Sequence, residues 1–256
     1  MSLLFHPVES DVRRVWAALR FVDAMSGRTI ESPLRVELAG ARLRRNRGGL
    51  FVVVALDRPA ADLDALRAYE NAFDAIPALP GQSLPGTVSD PDGRYVTRRF
   101  TLALPRSASA PASGTAAPLF AAATVTLDPA PATPLLPTWA ALRLAVRRGG
   151  TPAAQAVIRV RRSGGAQLGR GMTDARGEAL VAVVGVAQVT PGANELVVER
   201  EIAAEVVVSV DTRLAPGAVV DPDALAERAE GAGLIRSVSP RNLATGRIEV
   251  MNLTLP

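Results

Sequence analysis

The chain contains no cysteine and no lysine, and its 256 residues include a single histidine. Without cysteine there is no disulfide, no thiolate nucleophile and no cysteine-ligated metal, so a small disulfide scaffold is excluded while the redox compartment is left open. With one histidine, His6, a serine-type triad or a histidine metal cluster would have to be built around a residue beside Pro7 that has no partner at a ligand spacing. Aromatic residues make up 4%, too few to furnish stacking platforms for bases or an aromatic-lined ligand groove. No apolar run reaches the length of a membrane-spanning helix. The opening, MSLLFHPVESDVRR, has its short apolar patch broken by His6, Pro7 and then charges, which is not a signal-peptide pattern. A soluble, cytoplasmic protein without membrane insertion is therefore expected.

What is present is a hydrophobic fraction of 48%, enough for one large core or two ordinary ones. All 29 basic residues are arginine, but 25 acidic residues bring the net charge down to +4. That is not the balance of a dedicated nucleic-acid binder.

The pentapeptide WAALR occurs at Trp16–Arg20 and again at Trp139–Arg143, and the two copies use both tryptophans. Gly27 and Gly150 repeat at the same offset. Collinear matches continue: LRV at Leu34–Val36 with IRV at Ile158–Val160, RGGLFVVV from Arg47 with RGEALVAV from Arg176, DLDAL from Asp62 with DPDAL from Asp221, and FTLALP with MNLTLP. Order and spacing together point to two tandem copies of one unit. The small-residue stretch SASAPASGTAAP marks the boundary. The expected modules are residues 1–106 and 119–256, joined by a linker at 107–118.

Each copy reads as mostly antiparallel β. Leu142, Leu144 and Val146 alternate with Arg143, Ala145 and Arg147, as a strand requires. Leu34, Val36 and Leu38 repeat that period, and so do Ile158 and Val160 between Arg159 and Arg161. LFVVVAL is apolar at both parities, the pattern of a central strand, and DPDG at Asp90–Gly93 signals a turn. ELVVEREI and EVVVSVD add strands to the second copy. One short helix per copy is expected before its last strand: Asp62 caps the first, with Leu63, Leu66, Phe73 and Ile76 on one face. Asp221, followed by Pro222 at the first helical position, starts the second.

GTPAAQAVIRVRRSGG at Gly150–Gly165, followed by TDARGEALVAV at Thr173–Val183, resembles the carboxypeptidase regulatory-like, transthyretin-type β-sandwich. That family shows Gly-x-Pro before an alternating strand and then a Thr-Asp-x-x-Gly hairpin. The resemblance covers about residues 140–210, and DAMSGRTIESPLRVEL in the first copy is similar to the same family. Where the family carries an aromatic residue after the glycine, this chain has Ala179 and Leu180. The resemblance implies a non-catalytic β-sandwich and carries over no active-site residue.

Candidate chemistry is sparse. Carboxylates pair at Asp62/Asp64, Asp90/Asp92, Asp221/Asp223 and Glu199/Glu201, but helix caps, a turn and a solvated strand face account for them without a convergent cleft. GAQLGRGMTDARG does not lead from a strand into a helix, so it is no phosphate loop. Arg42, Arg44, Arg45 and Arg47, together with Arg94, Arg98, Arg99, Arg159, Arg161 and Arg162, form basic strips without interleaved aromatics. Such strips cover outer sheet faces or meet acidic protein partners. No catalytic, cofactor-binding or metal-binding residue is assigned, and no enzyme activity is expected.

The pattern of FVDAMSGR, RRFTLALPR, a small-residue linker and LPTWAALRL is similar to accessory proteins of phage-tail-like contractile injection particles. That similarity implies an adaptor that binds protein subunits, in copies matching a sixfold particle, at the cap, tube or baseplate. A ligand- or carbohydrate-binding accessory module is the alternative.

Overall fold

The structure, a computed structural model, describes residues 15–57, 82–104, 106, 121–135, 139–163, 165–183, 201–215, 217–228, 231, 233–244 and 246–256. Of these, 59% are strand and 3% helical. The expected helix from Asp62, the linker 107–118, His6 and Glu199 lie outside the described residues.

Among the described residues fifteen strands follow in order. They are β1 (Ala17–Asp23), β2 (Arg35–Leu38), β3 (Ala41–Arg45), β4 (Phe51–Leu56), β5 (Gln82–Ser89), β6 (Arg98–Leu104), β7 (Ala123–Leu127) and β8 (Ala140–Arg148). After these come β9 (Thr151–Pro152), β10 (Val157–Arg162), β11 (Gln167–Met172), β12 (Glu178–Val183) and β13 (Glu201–Asp211). A short helix, α1 (Pro222–Glu227), precedes β14 (Leu234–Ala244) and β15 (Ile248–Leu255). They form sheets of order β3-β4-β1-β7, β2-β5-β6, β11-β10-β13-β14 and β12-β8-β15, with β9 folded back on β8.

The chain divides into two compact units that alternate along the sequence: 1–20, 38–84 and 103–123 in the first, 21–37, 85–102 and 124–256 in the second. In the first, β4 pairs antiparallel with both β1 and β3. It is central by hydrogen bonding, as LFVVVAL suggests, yet Val54 on its second face is exposed, so only one side is covered.

The second unit is a sandwich. Leu142, Leu144 and Val146 of β8 and Met251 and Leu255 of β15 meet Ile158 and Val160 of β10 and Val206, Val208 and Val210 of β13 in one core. Their alternation in sequence is what builds it, since every second side chain of a strand turns to the same face. Ala179 joins this core and Leu180 is buried on the opposite face.

Three expectations are corrected. Thr173–Gly177 does not close a hairpin: β11 and β12 belong to different sheets, and the turn carries the chain across the sandwich. Gly177, at φ 75, makes that corner while Asp174 Oδ1 accepts from the backbone N–H groups of Arg176 and Glu178 at 2.9 and 3.0 Å. The strands are not all antiparallel, because β15 runs parallel to β8 from Ile248↔Ala141 to Leu255↔Arg148. The helix starts where Asp221 and Pro222 place it, with Asp221 accepting from the N–H groups of Asp223 and Ala224, but two strands follow it instead of one.

Thr173 pins the corner. Its hydroxyl is fully buried, donates to the Ala153 carbonyl at 2.7 Å and accepts from the Ala156 N–H at 2.7 Å. Thr173→Val keeps the shape and strands both backbone groups, which is expected to cost about 2–3 kcal/mol. Urea unfolding checks this, with Thr173→Ser retaining most of the wild-type midpoint.

Candidate interaction surface

The carboxylate pairs seen in the sequence are all committed within the fold where they are described. Asp90 accepts the backbone N–H groups of Asp92 and Arg94 at 3.1 and 3.0 Å and a forked pair of bonds from the Arg94 guanidinium. Burial pushes its carboxyl up, but Arg94 and the backbone donors outweigh this and hold it below the usual range. Nearby, the Tyr95 hydroxyl donates to Asp23 Oδ2 at 3.0 Å. Burial and that bond raise its pKa to about 12, so it supplies no base near neutrality. Glu201 is exposed, at the solvated position its alternation indicates, and lies 3.8 Å from Arg247 Nη1.

Asp221 and Asp223 cap α1 and also enter a cluster with Arg98, Arg170 and Asp128. Arg98 Nη2 lies 2.6 Å from Asp223 Oδ2 and 3.1 Å from Asp221 Oδ1, and its Nη1 donates to the Thr126 carbonyl at 2.7 Å. Arg170 donates to both oxygens of Asp128, at 2.9 and 3.2 Å, and to Asp223 Oδ1 at 2.9 Å. Burial raises the Asp223 carboxyl, but the two guanidinium groups outweigh it and hold it below the ordinary carboxylate range. A carboxylate kept ionised this way cannot serve as a general acid, which needs the opposite shift. The cluster is a clasp between β6, β11 and α1.

Arg98 therefore does not belong to a basic strip, being only 1% exposed. The signal was in the sequence: Arg98 shares its parity with Phe100, Leu102 and Leu104, all buried. Of the other strip residues, Arg42 pairs with Asp57 at 3.0 Å and Arg44 is exposed. Among the described residues no group of three or more acidic or histidine side chains is placed to hold a metal ion.

The surface that stands out is a sheet edge. An edge strand leaves a row of N–H and C=O groups unpaired, and proteins usually blunt it with proline, charge, glycine bulges or a cover. The edge strand β14 contains Pro240 and Arg241. The edge strand β11 contains Gly169, Arg170 and Gly171, and β12 is buried from Ala179 to Val183. β15 has only one of these protections, the charge of Glu249. Its sequence, IEVMNLTL, lacks proline, glycine and arginine, and among the described residues no strand pairs with its outer edge. Met251 and Leu255 fill the core, whereas Ile248 and Val250 point outward, Val250 at 73% exposure. Apolar residues at both parities of one strand were the legible sign that both of its faces have something to cover.

No protein-family model matches the chain, and no curated protein matches it. Among solved structures, it is similar to the crystal structure of a "putative adhesin" from Bacteroides ovatus. The identity is 8%, coverage is 98% of this chain and 95% of that one, and the TM-score is 0.20.

Proposed function

We propose that this protein is a non-enzymatic structural adaptor that joins protein subunits of a phage-tail-like contractile injection particle in the cap, tube or baseplate region. The observation that carries the reading is the edge of β15, unpaired among the described residues and eight residues long, with Ile248 and Val250 exposed beside it. Strand addition to such an edge gains main-chain hydrogen bonds, and the outward side chains supply the selectivity. The tandem arrangement of modules 1–106 and 119–256 belongs to this proposal. It is supported by the two WAALR copies, each of which enters a strand at the residue after its tryptophan.

A second reading, a ligand-binding accessory module, is favoured by a cleft of about 630 Å³ lined by Arg148, Thr151, Gln155 and Asp211 among small apolar residues. Its size suits a small molecule. Two of its polar groups are already engaged: the Gln155 amide bonds the Thr97 carbonyl and the Val220 N–H, and Asp211 pairs with Arg228.

Affinity isolation from the native cytoplasm, with mass spectrometry of the eluate, tests the adaptor reading. Sheath, tube or baseplate-like subunits are expected in stoichiometric amounts. Val250→Lys charges the outward face of β15 without touching the core and is expected to reduce that recovery at least about tenfold with an unchanged thermal midpoint. Recovery of the wild-type protein alone and monomeric would overturn the reading.

A further inference from the structure

The outer face of the β11-β10-β13-β14 sheet carries a half-buried cation in the company of other cations. Its register puts Arg159 directly between Arg170 of β11 and Val207 of β13, and Val207 faces Val238 of β14. Arg161 and Glu205 pair in the next row on this face, and Ser209 and Arg236 pair in the row on the other side. Ile158, Val160, Val206 and Val208 point the opposite way into the core, so these side chains lie on the second face, where Val207 and Ser209 are buried, Val157 packs in a cluster with Leu225 of α1, and Arg159 is left half-buried.

The other arginines here have partners. Arg170 is taken by Asp128 and Asp223, Arg161 reaches Glu205 at 4.0 Å, and Arg236 donates to Ser209 Oγ at 3.4 Å and the Arg228 carbonyl at 3.2 Å. Among the described residues no hydrogen bond or ion pair reaches the Arg159 side chain. Burial lowers its pKa, and Arg170, Arg161 and Arg236 lower it further, with Asp223 opposing them. In the same row, beyond Val207 and on the edge strand β14, Val238 is 51% exposed, a large apolar side chain at the margin of this charged face.

We propose that this face docks an acidic segment of a partner protein, with a partner carboxylate received by Arg159 and an apolar partner side chain laid on Val238. A positive, partly desolvated site favours an anion, because the missing charge is supplied where water screens it least. The observations favour a protein over a nucleic acid. Among the described residues the four strands carry no aromatic side chain for base stacking, Glu205 interrupts the cationic row, and Val238 offers a phosphate chain nothing. The inference shares with the adaptor reading only that the partner is a protein, since the β15 edge belongs to a different sheet.

Fluorescence anisotropy of a labelled peptide alternating Glu and Val, titrated with the full chain, tests it. Wild type is expected to bind this peptide and not the version with Gln in place of Glu. Arg159→Gln is expected to weaken binding about tenfold, while Arg44→Gln, an equal loss of charge elsewhere, leaves it unchanged. The thermal midpoint of Arg159→Gln should equal or exceed that of wild type, since a cation crowded by cations is removed. Val250→Lys should bind the peptide like wild type, which separates this surface from the β15 edge. Absence of binding to the Glu peptide, equal weakening by both arginine variants, or displacement by a single-stranded oligonucleotide at equal concentration would overturn the proposal.

Discussion

Gly169→Ala is expected to cost about 3 kcal/mol, a large loss for one added methyl group, and Gly169→Val to cost more still. The reason is how closely β11 lies against β12. A Cβ on Gly169 would stand 2.5 Å from the Ala182 carbonyl oxygen and 3.0 Å from Val181 Cγ1. Two residues on, a Cβ on Gly171 would meet Val181 Cγ2 at 2.7 Å and the Leu180 carbonyl oxygen at 2.9 Å. The obstructing atoms are mostly backbone of a strand that is itself hydrogen-bonded to β8, so a side-chain rotation cannot relieve the overlap. Gly165→Ala, where nothing lies within 4 Å, serves as the control and should be close to neutral. Urea midpoints decide the matter: if the two alanine variants unfold together, the close approach of β11 and β12 does not exist in solution.

Arg98→Met is expected to destabilise the protein by about 3 kcal/mol at neutral pH. That is the low end of the cost of removing one partner from a buried ion pair, because Asp223 is half exposed and water retains part of its charge. The substitution leaves the Thr126 and Arg99 carbonyls without their donor and Asp221 and Asp223 without their shared cation. The effect should depend on pH with a definite sign. A carboxyl whose folded pKa is depressed contributes stability above its unfolded value, near 3.9, and loses that contribution as pH falls through the folded one. The gap between wild type and Arg98→Met should therefore be full at neutral pH and close in acid. Arg98→Lys should fall between the two, since it restores the charge without the fork that reaches two carboxylates and a carbonyl. A gap that stays constant into acid would mean that packing, not the clasp with Asp223, holds Arg98 in place.

Much of this fold was readable because its strands follow a local rule. Leu142, Leu144 and Val146 announce the inward face of β8, Asp221 and Pro222 announce the start of α1, and Asp174 and Gly177 announce a turn. What the local pattern could not convey is which sheet a strand joins. The turn at Thr173–Gly177 has the same residues whether it closes a hairpin or crosses a sandwich, and the outcome depends on the two glycines of β11, whose purpose appears only against β12. The clasp was similarly hidden. Arg98 and Arg99 are equally charged neighbours on opposite faces of one strand, and the carboxylates that draw Arg98 inward are 123 and 125 residues away. Parity with Phe100 and Leu102 was the one local trace.

The position of β15 also has a consequence for the order of events during synthesis. It follows every other described strand in the chain, yet it lies directly against β8 and supplies Met251 and Leu255 to the core. Until those residues leave the ribosome, β8 has one vacant flank and the core lacks two of its side chains. Closure is thus a late, long-range step of the kind that slows folding. In the interval the nascent chain presents β8 as the open edge, and a strand from elsewhere could occupy the place that β15 later takes.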